Sequence, residues 1–430
     1  MKTSRDRLED TFARIADPKG EGVRICLTVY TDEARRAADA ADARAKAGQS
    51  LGPMDGVVIT IKDLFDIKGE VTRAGSKVLA ARSQPATADA PVIGRLRDAG
   101  AVIVAKTNMV EFAFSGVGLN PHFGTPGNPA DRSRVPGGST SGGAVAVADG
   151  IGAITIGTDT GGSTRIPAAL CGIVGYKPTQ KRISREGAYP LSFSLDSIGP
   201  MATSVAECAL ADAIMAGEAT NLTPIGLNSV RAGLVQGLPL EGIDGTVSAA
   251  LAKALAKLSG AWKSAAEVTP DAISVMLGVN ERGGLAPPEA YAIHRQLLAE
   301  HGDGVDPFVR QRIMRASAMT MPDYVMLAED RKRGIAQMDA LFDRFDVLVL
   351  PTTPIVAPVK AEVANLDEFG KRNVLLLRNA SIGNFFDLCA ISLPINLGNA
   401  LPCGLMLFGR HGSDRKLLAI AASVEQALAR

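Results

Sequence analysis

The spacing of apolar and polar residues predicts helices that alternate with short buried strands in the first third of the chain. Residues 5–16 and 32–47 have helical patterns, and the second of these is charged enough to be a solvent-facing helix. Residues 56–62 form a β-branched run closed by a lysine, which is typical of a buried strand. Residues 91–100 predict a helix between proline and glycine, and residues 101–105 predict another strand. Helices between strands indicate βαβ units and a largely parallel sheet.

The remainder of the chain shows similar elements with weaker patterns. We expect a polar, irregular loop over 119–136, an amphipathic helix over 204–217, a strand over 231–236, mostly helix from 245 to 345, strands over 346–350 and 390–396, and a closing helix over 413–429. No internal repeat and no low-complexity linker divides residues 1–430. We therefore expect one domain.

One stretch, residues 136–165, is unusually rich in glycine. Glycine fills nine of the 26 positions from 137 to 162, against 45 in all 430 residues. Glycine permits positive φ and allows the backbone to approach a ligand closely. The stretch contains two Gly-Gly-Ser tripeptides that end at Ser139 and Ser163. Each tripeptide predicts a turn in which N–H groups and a hydroxyl face something small.

The residues between these turns predict how the turns meet. Residues 142–152 are small and apolar, as in a buried helix, and residues 153–157 alternate like a strand. A helix followed by a strand would bring both serine turns to one edge of a sheet. This edge is where open α/β sheets bind their ligands.

Composition and charge exclude several classes of protein. The formal net charge is +1, from 46 basic and 45 acidic residues, which argues against a nucleic-acid partner or a membrane surface held by charge. The five cysteines are scattered and show no metal-ligand spacing, so neither a disulfide framework nor a metal site is predicted. The first residues carry acids and lack an apolar core, and no apolar run is long enough to span a membrane. We expect a cytoplasmic globular protein.

Several simpler or different interpretations of the serine turns stay open from the residues alone. Serines in such turns often only cap the following helix, and Lys62 at a strand end could be an ordinary ion-paired lysine. The four histidines (His122, His294, His301 and His411) fit surface or hydrogen-bonded core positions better than a Ser-His-Asp triad. No Gly-Lys-Ser/Thr follows the glycines, which excludes a phosphate-binding P-loop of the usual form. Cys171 fits a small buried residue better than a nucleophile.

Taken together, the motifs resemble the amidase signature family of serine hydrolases. The matching strings are Ile61-Lys62-Asp63, Lys106-Thr107-Asn108, Pro136-Gly-Gly-Ser139-Thr-Ser-Gly, Gly157-Thr-Asp-Thr-Gly-Gly-Ser163-Thr-Arg, Cys171-Gly-Ile-Val-Gly-Tyr-Lys-Pro and Ser194-Leu-Asp-Ser-Ile-Gly-Pro. The dense match covers a core of about residues 50–215, and weaker similarity extends into the half from 216 to 430, which we expect to shape the substrate site. One departure is Thr140, where the family usually has serine or glycine.

The resemblance implies a Ser-cisSer-Lys triad. Ser163 would be the nucleophile, Ser139 the bridging serine after a cis peptide bond, and Lys62 the base. A lysine can act as a base once burial lowers its pKa. The resemblance implies no metal and no cofactor. The oxyanion hole would use the N–H groups of Thr160, Gly161, Gly162 and Ser163, and the supporting residues would be Gly137, Gly138, Thr140, Ser141, Asp159 and Arg165.

The implied fold is a single α/β/α domain with a large mixed β-sheet and helices on both faces. The implied activity is hydrolysis of a carboxamide to an acid and ammonia or an amine, by a chain that could form a homodimer. An alternative is the glutamine-hydrolysing component of a tRNA-dependent amidotransferase, which passes ammonia from glutamine to a partner. A non-enzymatic ligand-binding module is a third possibility. The acyl pocket is expected in the C-terminal half, for example along 378–386.

Overall fold

The computed structural model describes residues 2–395, 398 and 400–429, and its centre is an eleven-stranded β-sheet. The strands are β1 (Cys26–Val29), β2 (Val58–Lys62), β3 (Val102–Thr107), β4 (Ile154–Asp159), β5 (Val174–Lys177), β6 (Ser197–Ala202), β7 (Arg231–Val235), β8 (Ser264–Val268), β9 (Val347–Pro351), β10 (Cys389–Pro394) and β11 (Gly404–Gly409). They lie side by side in the order β1-β3-β2-β4-β6-β5-β10-β11-β9-β7-β8.

The sheet is mixed, as the family resemblance implies. Strand β2 pairs in parallel with β3 and β4, and β7 pairs in parallel with β8 and β9. The strands between these two parallel groups are antiparallel to their neighbours. The largely parallel sheet predicted from the βαβ pattern is therefore wrong for the centre. That pattern came from the first third of the chain, and only there does a helix separate each pair of neighbouring strands.

Fifteen helices in the described part of the chain surround this sheet. They are α1 (Ser4–Ala16), α2 (Gly22–Ile25), α3 (Thr31–Lys46), α4 (Lys77–Arg82), α5 (Pro91–Asp98), α6 (Ser141–Ala148), α7 (Arg165–Cys171), α8 (Val205–Ala216), α9 (Gly245–Leu258), α10 (Ala272–Glu281), α11 (Ala286–His301), α12 (Pro307–Met314), α13 (Met321–Asp339), α14 (Leu366–Phe385) and α15 (Asp414–Ala429). None is long and apolar enough to cross a membrane.

Both faces of the sheet are buried against helices. In β9, Val347 and Val349 join one hydrophobic cluster, whereas Leu348 and Leu350 join another. Because successive side chains of a strand point to opposite faces, the two clusters are the two sides of one sheet. The first cluster includes residues of α5, α8 and α15, and the second includes residues of α10 and α14.

Most predicted elements are confirmed, with shifts of a few residues at their ends. The helix predicted for 142–152 ends at Ala148, because Gly150 has a positive φ of 73° and cannot continue it. The mostly helical prediction for 245–345 missed β8, an edge strand whose first four residues are exposed and show no buried alternation. The strand predicted for 390–396 corresponds to β10, and Asn396 lies outside the described residues.

Candidate active site

The two serine turns meet at the carboxyl end of β4. This strand ends at Asp159, α7 begins at Arg165, and Ser163 lies in the turn between them, 4% exposed. The other turn precedes α6 and contains a cis peptide bond between Gly138 and Ser139. The Thr140 N–H donates to the carbonyl oxygen of Ser163 at 3.3 Å, which joins the two turns.

Glycine is required at two positions around these turns. Gly162 has a φ of 125°, and a Cβ atom there would lie 2.5 Å from the Cβ of Ala380 on α14. A Cβ atom on Gly157 would lie 2.7 Å from the Thr140 hydroxyl oxygen. No side chain fits at these distances, so the turns close only with glycine at both positions.

Lys62 is the last residue of β2, and its side chain is fully buried. Its Nζ donates to the Ser139 hydroxyl at 2.8 Å and to the Thr158 hydroxyl at 3.0 Å. Burial lowers the pKa of Lys62 to about 7, against the opposing charges of Asp159 and Asp196. About half of these side chains are therefore neutral near pH 7 and can accept a proton.

The structure brings Lys62 and Ser139 into direct contact, whereas Ser163 is reached through the backbone. Among the described residues, no hydrogen bond joins the hydroxyls of Ser139 and Ser163. The remaining residues named in advance lie around the same two turns. Gly138 donates its N–H to the Gly116 carbonyl at 2.9 Å, and Gly137 has a φ of 80°. The buried hydroxyls of Thr140 and Ser141 have no hydrogen-bond partner in the described chain.

The amide groups of the Ser163 turn fall into two sets. The Gly162 N–H donates to Asp159 Oδ1 at 2.9 Å, and the Thr164 N–H donates to Asp159 Oδ2 at 3.1 Å. The N–H groups of Thr160, Gly161 and Ser163 have no acceptor within the described residues. Three unpaired amides in one turn can accept a negatively charged oxygen. The Gly162 amide, which was expected to join them, is bound to Asp159.

Asp159 and Arg165 form a buried ion pair that braces the turn. Both side chains are fully buried, and Arg165 donates through Nη2 at 2.9 Å and Nε at 3.1 Å. Arg165 also donates to the Ala380 carbonyl at 2.8 Å and to Asn384 Oδ1 at 2.7 Å, both on α14. Burial alone would raise the pKa of Asp159, but Arg165 holds it below its usual range. The carboxylate is thus ionised and satisfied by fixed donors.

A cavity of about 450 Å³ opens beside Ser163, Thr160 and Gly161. Helices α10, α12 and α14 supply much of its wall, including Met276, Leu277, Asn280, Arg312, Asn373, Leu377, Arg378, Ser381, Asn384 and Phe385. The expectation that the stretch 378–386 lines a pocket is therefore confirmed. No aspartate or glutamate is among the described residues that line it.

Arg312 is a cation without a counter-ion in this cavity. Its guanidinium carbon lies 4.6 Å from the centroid of the Phe114 ring. Its buried Nε has no hydrogen-bond partner, and no carboxylate in the described chain forms a salt bridge with it. Burial lowers the pKa of Arg312 to about 10, and the nearby Arg315 adds to the shift. The sequence analysis missed this residue, because an arginine in an amphipathic helix carries no signal of its own.

The loop from Leu191 to Asp196 was also missed as part of the site. The Thr160 hydroxyl donates to Asp196 Oδ1 at 2.5 Å, and the N–H groups of Leu191 and Ser192 donate to Asp196 Oδ2. Asp196 stands in the Ser194-Leu-Asp motif that supports the family resemblance. That motif could have identified it, although its contact with the Ser163 turn could not be foreseen.

The histidines take no part in this site. His294 is fully buried against Phe112, with ring centroids 4.1 Å apart, and neither ring nitrogen has a partner in the described chain. The expected hydrogen-bonded core position is therefore wrong for His294. Burial lowers its pKa to about 4, so it is neutral. No group of three His, Cys, Asp or Glu side chains is arranged to hold a metal ion in the part of the chain that the structure describes.

A buried lysine–serine pair, a glycine turn with free amides and an adjoining cavity define a serine hydrolase site. The family model described as Amidase matches residues 8–418. The chain is 35% identical to 2-amino-5-chloromuconic acid deaminase of Comamonas testosteroni, over 91% of this chain and 86% of that protein. It is also 35% identical to the GatA-type component of glutamyl-tRNA(Gln) amidotransferase from Symbiobacterium thermophilum, over 96% of this chain and 91% of that protein.

Solved structures show the same similarity. A crystal structure of an amidase superposes with a TM-score of 0.88 at 34% identity, covering 99% of this chain and 96% of that one. The native peptide amidase of Stenotrophomonas maltophilia superposes with a TM-score of 0.82 at 29% identity, covering 100% and 94%. The chain belongs to the amidase family, and its fold is that of the amidase signature enzymes.

Proposed function

We propose that this amidase hydrolyses the C–N bond of a carboxamide through an acyl intermediate on Ser163, with Ser139 and Lys62 moving the proton. The observation that carries the proposal is the 2.8 Å hydrogen bond between Lys62 and Ser139, made by a buried lysine whose pKa is about 7. A serine hydroxyl needs a neighbour that accepts its proton, and this pair supplies one.

In acylation, the Ser163 oxygen attacks the amide carbon, and its proton passes through the Ser139 hydroxyl to neutral Lys62. The amides of Thr160, Gly161 and Ser163 stabilise the resulting oxyanion, while the Gly162 amide holds the turn through Asp159. Lys62 then returns the proton through Ser139 to the departing nitrogen, which leaves as ammonia or an amine. A water molecule repeats the cycle on the ester, giving the carboxylic acid and free Ser163.

The cavity supports a substrate whose acyl part carries a carboxylate. Arg312 is a partly buried cation without an acidic partner, and a desolvated unpaired charge is costly until an anion binds. The side-chain amide of Asn373 also lacks a partner on Nδ2 among the described residues, so it offers a second donor. The relative named for 2-amino-5-chloromuconic acid is consistent with an acidic substrate.

The glutamine-hydrolysing component of a tRNA-dependent amidotransferase is a second candidate. Its support is the 35% identity over 96% of this chain to one such component. Glutamine also carries a carboxylate, so Arg312 alone does not separate the two candidates. They differ in whether the chain acts by itself or only with partner proteins.

The test is release of ammonia by the purified chain, over paired amides that differ only in a carboxylate or a neutral group. Glutamine is included, and Ser163→Ala is the control. Serine-dependent release from acidic amides other than glutamine supports the free-standing amidase. Release from glutamine alone, or only after partner proteins are added, supports the amidotransferase component. Fluorophosphonate should add mass to the Ser163 peptide, and labelling elsewhere would overturn the assignment of the nucleophile.

A further inference from the structure

We propose that Glu289 is a positioning residue for the oxyanion turn, acting through the loop from Leu191 to Asp196. The inference rests on the proposed function, because it assigns a role to the turn that carries Ser163. Glu289 lies on α11, outside the glycine-rich stretch and more than 120 residues further along the chain. It touches neither Ser163 nor the free amides, so any effect on catalysis must pass through other residues.

Glu289 is a buried carboxylate held only by neutral donors. It is 5% exposed and forms no salt bridge with any lysine or arginine in the described chain. It accepts the hydroxyl of Ser192, the Ser194 N–H at 3.0 Å and the hydroxyl of Tyr324 at 2.7 Å. A buried charge that meets three donors is costly to remove and holds those donors in fixed places. Glu289 therefore fixes the loop against α11 and α13.

The same loop is fixed at its other end to the Ser163 turn. Asp196 Oδ2 accepts the N–H groups of Leu191 at 2.9 Å and Ser192 at 3.0 Å, which closes the loop on itself. Asp196 Oδ1 accepts the Thr160 hydroxyl at 2.5 Å. Ser192 thus bonds to both carboxylates, through its hydroxyl to Glu289 and through its amide to Asp196. A continuous chain of hydrogen bonds runs from α13 to Thr160.

Thr160 supplies one of the three unpaired amides next to the cavity. Its side chain is tethered to Asp196, so the direction of its N–H depends on where the loop lies. Displacement of a catalytic group by about 1 Å can cost about 100-fold in rate. The loop also places Leu191 and Leu195 on the cavity wall. One buried carboxylate therefore sets both an oxyanion donor and part of the surface that the acyl group meets.

The experiment is a double-mutant cycle between Glu289→Leu and Thr160→Val. Glu289→Leu leaves the loop without its anchor, and Thr160→Val removes the tether but keeps the backbone amide. We expect each variant to lower kcat about 10- to 100-fold with little change in KM, and to slow phosphonylation of Ser163 similarly. If both act through one chain, the double variant is no slower than the slower single variant. Effects that multiply would show that Glu289 acts elsewhere and would overturn the proposal.

Tyr176→Phe is the matched control, because it removes another buried hydroxyl-to-carboxylate bond of 2.7 Å, to Asp414, outside this chain. It should lower the melting temperature and leave kcat unchanged. If Glu289→Leu does not fold, Ser192→Ala takes its place in the cycle, with an expected loss of about 3- to 10-fold. Wild-type kcat in the Glu289 or Ser192 variant would overturn the proposal. Absence of Ser163-dependent turnover in the wild type would instead count against the proposed function, and the phosphonylation rates would still test Glu289.

Discussion

The turn around Ser163 and the cavity wall beside it are built on opposite principles. In the turn, Asp159 meets Arg165, two backbone amides and the Thr164 hydroxyl, so its charge is fully satisfied inside the protein. In the wall, Arg312 has no acidic partner in the described chain and faces a cavity. A satisfied network holds one geometry, whereas an unsatisfied charge is completed by a ligand. The turn thus serves the chemistry, and the wall serves the choice of substrate.

The largest effect should come from removing a single hydroxyl in the serine turns. Ser139→Ala breaks the hydrogen bond that links Lys62 to the serine turns, so we expect kcat to fall by about 10⁴-fold or more. The matched control is Thr155→Val on β4, which removes a buried hydroxyl that has no partner in the described residues. It should retain turnover within about threefold. Equal losses in both variants would show that packing, and not proton transfer, explains the result.

Replacing Lys62 should have the next largest effect. Lys62→Met keeps the buried volume but removes the base, so we expect kcat to fall about 10²- to 10⁴-fold. Lys106→Met is the control, because Lys106 is equally buried on the neighbouring strand β3 and contacts Glu70 at 3.6 Å. It should retain turnover in folded protein. Loss of activity with Lys106→Met alone would contradict the assigned base.

The pH dependence follows from the lowered pKa of Lys62. The base acts when neutral, so kcat/KM should rise with pH around a midpoint near 7. In the unfolded chain a lysine titrates near 10.4, so between these values the unfolded state binds more protons. Stability should therefore rise with pH from about 7 to about 10, and this increase should be smaller in Lys62→Met. A midpoint that stays near 7 in folded Lys62→Met would assign it to another group.

A smaller effect, restricted to one class of substrate, should follow from changing the wall. Arg312→Leu should lower kcat/KM about 10- to 150-fold for acidic amides, because a charge-assisted hydrogen bond is lost, and should leave neutral isosteres nearly unchanged. Arg315→Leu, which changes an exposed arginine one turn away, is the control. Equal losses on acidic and neutral amides would place Arg312 outside substrate selection.

The smallest effect should be stabilising. Gly370 lies within α14, and a Cβ atom there would meet nothing within 4 Å. Gly370→Ala should raise the free energy of unfolding by about 0.5–1 kcal/mol without changing kcat, since alanine loses less backbone entropy in a helix. Thermal denaturation checks this expectation. A lower melting temperature would mean that the outer surface of α14 tolerates less change than its geometry indicates.

The sequence predicted the turn region far better than the wall. Glycines at 157 and 162 and serines at 139 and 163 are constrained one by one, so the motif identifies them and their neighbours on β2 and β4. Arg312 and Glu289 lie on helices whose spacing predicts only helix, and their roles arise from what lies across the fold. The edge strand β8 was missed for a related reason. Its exposed side chains carry no burial pattern, and only pairing with β7 makes it a strand.

The bonds from Arg165 to α14 have a consequence for the order in which the protein becomes active during synthesis. Ala380 and Asn384 follow Arg165 by 215 and 219 residues, and Asn384 also donates to Asp159 at 2.8 Å. A ribosome that has released the first 215 residues has delivered every residue of the proposed triad without the helix that clamps its turn. The nascent amidase therefore stays inactive until α14 docks, so no partly made chain can cleave amides.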